Sequence, residues 1–152
     1  MEDLVRFLHY TLIQQFADAN KLKVSFPYND PVDEQSNVDS NGDYIFSDMA
    51  DEDMFLRPQI VSLRPDEKGL RHGLASYSWI VQISVYTKNG KGEMAGAQMA
   101  DKIRSEFKFG RREVTDGGEY TTTQTTQPAA NSHNEVGGWI ALPITWKIVV
   151  IS

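Results

Sequence analysis

A segment with strand periodicity leads into a segment with helix periodicity between residues 78 and 107, and this pair constrains the fold most. Apolar and polar side chains alternate from Trp79 to Tyr86, which predicts a strand with one apolar face. From Glu93 to Phe107 the apolar residues fall at helical spacing. Asn89-Gly90 lies before that helix and can adopt the positive φ of a tight turn. We therefore predict a long strand over 74–87 and a helix joined to it by that turn, a scaffold with no evident chemistry between its two elements.

The same periodicities predict another helix and several more strands. Residues 3–19 carry an apolar stripe at helical spacing, with His9 expected on the outer, solvated side. Residues 140–150 alternate along their whole length and predict a long core strand, with Pro143 at a bulge or an unpaired edge. Shorter strands are predicted at 21–28, 54–63, 112–115 and 120–127, and a loop is predicted at 127–138.

Length and composition are those of one globular domain. The chain has 152 residues, of which 40% are hydrophobic and 24% are charged, so one core suffices. No apolar run approaches the ~20 residues of a membrane span, and Met1-Glu2-Asp3 lacks the basic flank of a signal peptide. We expect no membrane association and no export. Cysteine is absent, which excludes disulfides, thiolate nucleophiles and cysteine metal sites.

The negative charge is concentrated in one segment, residues 29–53, here called the acidic window. The net charge is −6, which argues against a protein whose main task is to grip a nucleic-acid backbone. The window has no Lys or Arg and nine acids, so 21 less nine leaves 12 acids against 15 bases elsewhere. Such a block is typical of a solvated or partner-binding segment. The expected partner-contact residues are Asp30, Asp33, Glu34, Asp39, Asp43, Asp48, Asp51, Glu52 and Asp53.

The sequence contains no complete motif for catalysis, cofactor binding or metal binding. Lys91 lies between two glycines, but the phosphate-loop pattern and its hydroxyl are missing. The segment Asp39–Asp43 has its glycine at the fourth place of a calcium loop rather than the sixth, and Ala50 replaces the closing Glu. The three histidines are scattered, and no serine lies in a nucleophile elbow. We predict no catalytic residues, no cofactor and no metal.

The three tryptophans are predicted to have two different roles. Trp79 and Trp146 fall on the apolar faces of their strands, where large aromatics usually fill the core. Trp139 follows Gly137-Gly138 and lies on the opposite face from Ile140. We predict that Trp139 is an interface anchor.

Local sequence phrases occur in an order shared with a known group. Phe26-Pro27-Tyr28-Asn29 follows the first helix, and Phe55-Leu56-Arg57-Pro58 opens the next strand. Val85-Tyr86 then leads through Gly90-Lys91-Gly92 into the helix containing residues 97–103, which closes on Phe107. In this order the chain resembles the tail terminator and minor tail proteins of long-tailed bacteriophages. The resemblance covers most of the chain outside the acidic window, whose length departs from the family pattern.

The resemblance implies a fold and a role. The fold is α+β, a mostly antiparallel sheet with two helices packed on it, in one domain over residues 1–152 with an acidic inserted loop at about 29–53. Such a protein is a homo-oligomer, expected to be a hexameric ring, and has no catalytic residues. It caps the tail tube and connects it to the neck or head-completion protein at the tail–neck junction of the virion, after assembly in the host cytoplasm.

In that role DNA passes through the lumen without sequence-specific binding, and six copies with a charge of −6 each would repel its phosphates. Two alternatives within structural and binding proteins remain open. One is a head-completion or other minor tail or neck protein. The other is a ligand-binding module that uses Trp139 and the Thr-rich strand. A small hydrolase would need an acid, base or nucleophile set that the spacing does not offer.

Overall fold

Two helices and eight strands make up the described part of the protein. The computed structural model describes residues 2–26, 49, 51–63, 76–88 and 92–151. The helices are α1 (Glu2–Ala19) and α2 (Glu93–Glu106). The strands are β1 (Lys23–Val24), β2 (Met54–Ser62), β3 (Ser76–Lys88), β4 (Arg112–Val114), β5 (Thr121–Gln124), β6 (Ala129–Ala130), β7 (Asn134–Val136) and β8 (Trp139–Ile151). This composition confirms the predicted α+β class.

The strands form one sheet around a long central pair. Its order is β1-β2-β3-β8-β5-β4, and β6 and β7 also pair with β8. The central strands β3 and β8 are antiparallel over their full 13 residues, from Ser76↔Ile151 to Lys88↔Trp139. Only β1 runs parallel to its neighbour among the described strands. The predicted antiparallel character of the sheet is therefore confirmed.

The main core lies between the two helices and one face of the sheet. Trp79 and Trp146 are each 2% exposed in it, which confirms their predicted place. The ring of Phe107, just after α2, stacks on Trp146 with centroids 4.9 Å apart, and Phe16 of α1 lies 5.8 Å from the same Phe107 ring. Each such fully buried side chain contributes about 1.5–3 kcal/mol relative to exposure. This aromatic group holds both helices on the sheet.

The prediction of a loop at 127–138 is wrong in part, because β6 and β7 lie within this segment and pair with β8. Thr122 and Ala129 are seven positions apart in the chain. Their partners on β8, Val150 and Thr145, are only five positions apart. Thus β5, β6 and β7 are successive partners of one strand, separated by bulges. The composition of the segment is polar because its side chains are mostly exposed, so no apolar alternation marks the strands.

The end of that segment is a tight hairpin. Gly137 and Gly138 have φ of 52° and 84° and join β7 to β8, with Val136 paired to Trp139. Two successive positive φ values define the hairpin turn that suits sheet twist, and glycine adopts them without strain. Pro143 lies farther along β8, where its carbonyl accepts the Asn131 N–H at 2.9 Å between β6 and β7. Pro143 has no N–H to donate, and it lies opposite the gap between β6 and β7. This position agrees with the predicted bulge.

Among the helices that the structure describes, neither is long and apolar enough to cross a bilayer.

Candidate assembly surfaces

The described part of the acidic window lies at the start of β2. Glu52 forms an ion pair with Lys23 at 2.9 Å, and the Asp53 carbonyl accepts the Lys88 N–H at 3.1 Å. Asp51 and Asp53 are exposed. These contacts fix the end of the window against β1 and β3. The other six acids predicted to contact a partner lie outside the described residues: Asp30, Asp33, Glu34, Asp39, Asp43 and Asp48.

Trp139 is buried in the isolated chain rather than displayed on its surface. It is 6% exposed and lies on the sheet face opposite the helices, with Phe55 edge-on at 4.9 Å and the Lys88 ammonium 5.9 Å from its ring centroid. Met49 and Tyr86 belong to the same buried cluster, and Tyr86 stacks on Phe55 at 4.8 Å. The predicted face is therefore correct, but the ring already has neighbours within the chain. Its contact with a partner stays a prediction.

His9 is buried, so the prediction that it is solvated is wrong. Its exposure is 5%, and its Nε2 lies 3.0 Å from Thr122 Oγ1 on β5. Burial, assisted by the nearby Arg111 charge, lowers the pKa of His9 from 6.5 to about 4. The neutral His9 side chain therefore links α1 to β5 of the sheet through Thr122. The sequence carried a signal for this, because His9 stands four residues from both Val5 and Ile13, which are buried.

Hydrogen bonds from polar side chains stabilise the turn between α2 and β4. Gln124 is buried and donates from Nε2 to the Phe107 carbonyl at 2.8 Å, which satisfies a group at the end of α2. The guanidinium of Arg111 donates to Glu113 at 2.7 Å and to the Glu106 carbonyl at 2.9 Å. This network holds β4 in a fixed position relative to the core.

A groove of about 520 Å³ runs between α1 and α2. Its lining carries charges of both signs and includes the apolar side chains of Leu12 and Phe16; the charged residues are Asp101, Lys102, Glu106 and Arg111. Within the described residues no three His, Asp or Glu side chains are grouped to hold a metal ion. The groove is a surface feature that contains both charges and apolar side chains.

The outer edge of β2 is blocked. Pro58 lacks a backbone donor, the Ile60 N–H donates to the Tyr10 hydroxyl at 3.3 Å, and the Leu56 carbonyl accepts the Ser25 N–H at 2.8 Å. Natural sheets protect their edges from unwanted pairing by such devices. Another chain cannot readily add a strand along this edge.

The outer edge of β4, unlike that of β2, is not covered by any described residue. The bonds Gln124 N–H to Arg111 O and Thr115 N–H to Tyr120 O show that the odd-numbered residues face β5. The N–H and C=O groups of Arg112 and Val114 therefore point outward. No hydrogen bond to them occurs within the described ranges. Beside them Phe109 and Val114 are 59% and 53% exposed. This open edge, residues 108–114, is the candidate assembly surface.

Comparison with known proteins identifies the family. The chain has no significant match among curated proteins. It is similar in fold to a solved structure with 14% identity, a TM-score of 0.69, and coverage of 99% of this chain and 95% of that one. A family model described as "Phage tail terminator protein" matches residues 40–147, the range from the acidic window through most of β8. Since that match spans more than half of the chain, the protein belongs to the phage tail terminator family and is a structural component of the phage tail that interacts with other tail components.

Proposed function

We propose that this protein forms a ring that caps the tail tube and connects it to the neck of the filled head. The observation that carries the proposal is the family match over residues 40–147. A hexamer is the expected closed form. The protein performs no chemistry in this role, and its mechanism is geometric, since one ring face matches the end of the tube and the other face presents a different surface to the neck.

The architecture supports ring formation because the two sheet edges differ. A ring requires head-to-tail contacts, in which one surface of a subunit meets a different surface of the next. The β2 edge is blocked by Pro58 and Tyr10, whereas no described residue pairs with the outer side of β4. Two identical open edges would instead favour a symmetric pair. The difference suits a subunit with one accepting surface and another surface that supplies the contact.

The acidic window and the Trp139 cluster are proposed to contact partners. Asp51 and Asp53 are exposed and stand in the sequence between Met49 and Phe55, two members of that cluster. An acidic lumen would repel DNA phosphate and let it pass without sequence-specific binding. In this proposal the single domain is placed at the tail–neck junction and assembles in the host cytoplasm.

Phage particles made without this chain test the proposal. Loss of a terminator produces tubes longer than those of the wild type, which electron microscopy measures directly. Heads that leak DNA beside tubes of normal length would identify a head-completion protein instead. Normal tubes on normal heads would refute both roles.

A further inference from the structure

We propose that the open β4 edge accepts a strand from a second copy of this chain, and that the strand is the segment Asp43–Asp48. The idea that this contact repeats around a ring rests on the proposed function. The contact itself concerns only two copies of the chain. It would explain how one subunit recognises the next.

The accepting side combines exposed apolar and basic side chains with backbone groups to which no described residue forms a hydrogen bond. The outward groups of Arg112 and Val114 offer two donors and two acceptors to an added strand. Phe109 and Val114 lie exposed next to them. Lys108 and Arg112 are also exposed, and the ion pairs between described residues do not involve them. A strand that fits here has apolar residues in its middle and acids at its ends.

One segment of the sequence has this pattern. Residues 43–48 read Asp-Tyr-Ile-Phe-Ser-Asp, three β-forming apolar or aromatic residues followed by one serine, with an acid at either end. Added-strand contacts obtain affinity from main-chain hydrogen bonds and specificity from side chains. Here the acids complement Lys108 and Arg112, while the apolar residues complement Phe109 and Val114.

Chain geometry assigns the segment to a second copy. Met49 belongs to the same buried cluster as Ala141 of β8. On β4, Arg112 pairs with a residue of β5 that in turn pairs with Val149 of β8. Val149 is eight residues farther along β8 than Ala141. Eight strand residues span about 26 Å. The four residues from Met49 back to Ile45 span at most about 14 Å. The segment therefore falls well short of the β4 edge of its own chain.

Two substitutions test the contact from its two sides. Val114→Pro removes an outward N–H while leaving the bonds of β4 to β5, and Ile45→Asp places a charge in the apolar centre of the segment. Each is expected to weaken self-association at least about tenfold in sedimentation velocity, since each removes or opposes a central interaction. Val114→Thr and Val38→Asp are the matched controls and associate as the wild type does. Tryptophan fluorescence during urea unfolding checks that every variant folds.

Mixing the two variants gives a sharper result. The Val114→Pro chain retains its segment and the Ile45→Asp chain retains its edge, so together they form one contact. We expect a one-to-one dimer and nothing larger. Absence of that dimer overturns the proposal, as does a wild-type chain that stays monomeric at high concentration.

If Val114→Pro fails to fold, the charge reversal Arg112→Glu tests the same edge. Arg112 is exposed, so Arg112→Glu leaves the core intact while repelling an acidic strand. Wild-type association by this variant and by any folded Val114→Pro chain overturns the contact. If they instead lose binding to tail-tube protein, the tube occupies the edge. Phage carrying Arg112→Glu separate the two proposals, because rings and normal tails would leave the terminator role standing without this contact.

Discussion

Acid destabilisation of the protein should depend on His9, and the size of the effect follows from its burial. The folded pKa is about 4, whereas the unfolded value is 6.5. Because the unfolded chain binds the proton more tightly, its protonation below pH 6.5 favours unfolding. The stability contributed by a neutral His9 is present above pH 6.5 and is lost as the pH falls toward 4.

The loss of stability caused by His9 protonation follows from the size of its pKa shift. The full shift from 6.5 to about 4 corresponds to roughly 3 kcal/mol. At pH 5 the unfolded histidine is nearly all protonated and the folded one is still mostly neutral, so about 2 kcal/mol is already lost. His9→Gln retains a side-chain amide that can reach Thr122, but it has no proton to gain in this range.

Urea unfolding of both proteins at pH 7.5 and pH 5.0, at one protein concentration, measures the effect. The wild type should lose about 2 kcal/mol more than His9→Gln between the two pH values. His133 is exposed, and His133→Gln is the matched control, which should retain the wild-type pH dependence. Equal losses in the wild type and His9→Gln would refute the burial and pairing of His9 described above.

Three further substitutions test separate parts of the fold by urea unfolding. Trp139→Ala should cost about 3–5 kcal/mol because the ring is buried, and Trp139→Phe should cost less; an unchanged stability would mean that the ring is free to serve as an exposed anchor. Gly138→Val should cost about 1–2 kcal/mol, because φ is 84° and no atom would contact the new Cβ within 4 Å; an unchanged stability would contradict the hairpin geometry. Gln124→Leu should cost about 1–3 kcal/mol by leaving the Phe107 carbonyl without its donor, and a neutral effect would contradict that bond.

The long elements were predictable because their periodicity reports burial directly. Alternation along β3 and β8 placed Trp79 and Trp146 in the core, where both are 2% exposed. Helical spacing likewise located α2 to within one residue of Glu93–Glu106. In these segments the local pattern and the tertiary packing favour the same structure.

The short elements and the candidate surface depended on tertiary context. The pairing of β6 and β7 with β8 leaves exposed polar side chains, so no apolar pattern marks these strands. Burial of Trp139 depends on Phe55 and Tyr86, which are distant in sequence. The open edge of β4 is defined by what does not pair with it in the described ranges, and a sequence contains no local signal for that.

The central proposal for this chain is that it forms rings that bind the end of a tail tube. Electron microscopy of the purified protein, alone and mixed with tail tubes, tests this directly. We expect rings with a central channel, and in the mixture one ring at an end of each tube. A chain that is strictly monomeric and leaves tube ends bare would contradict the account.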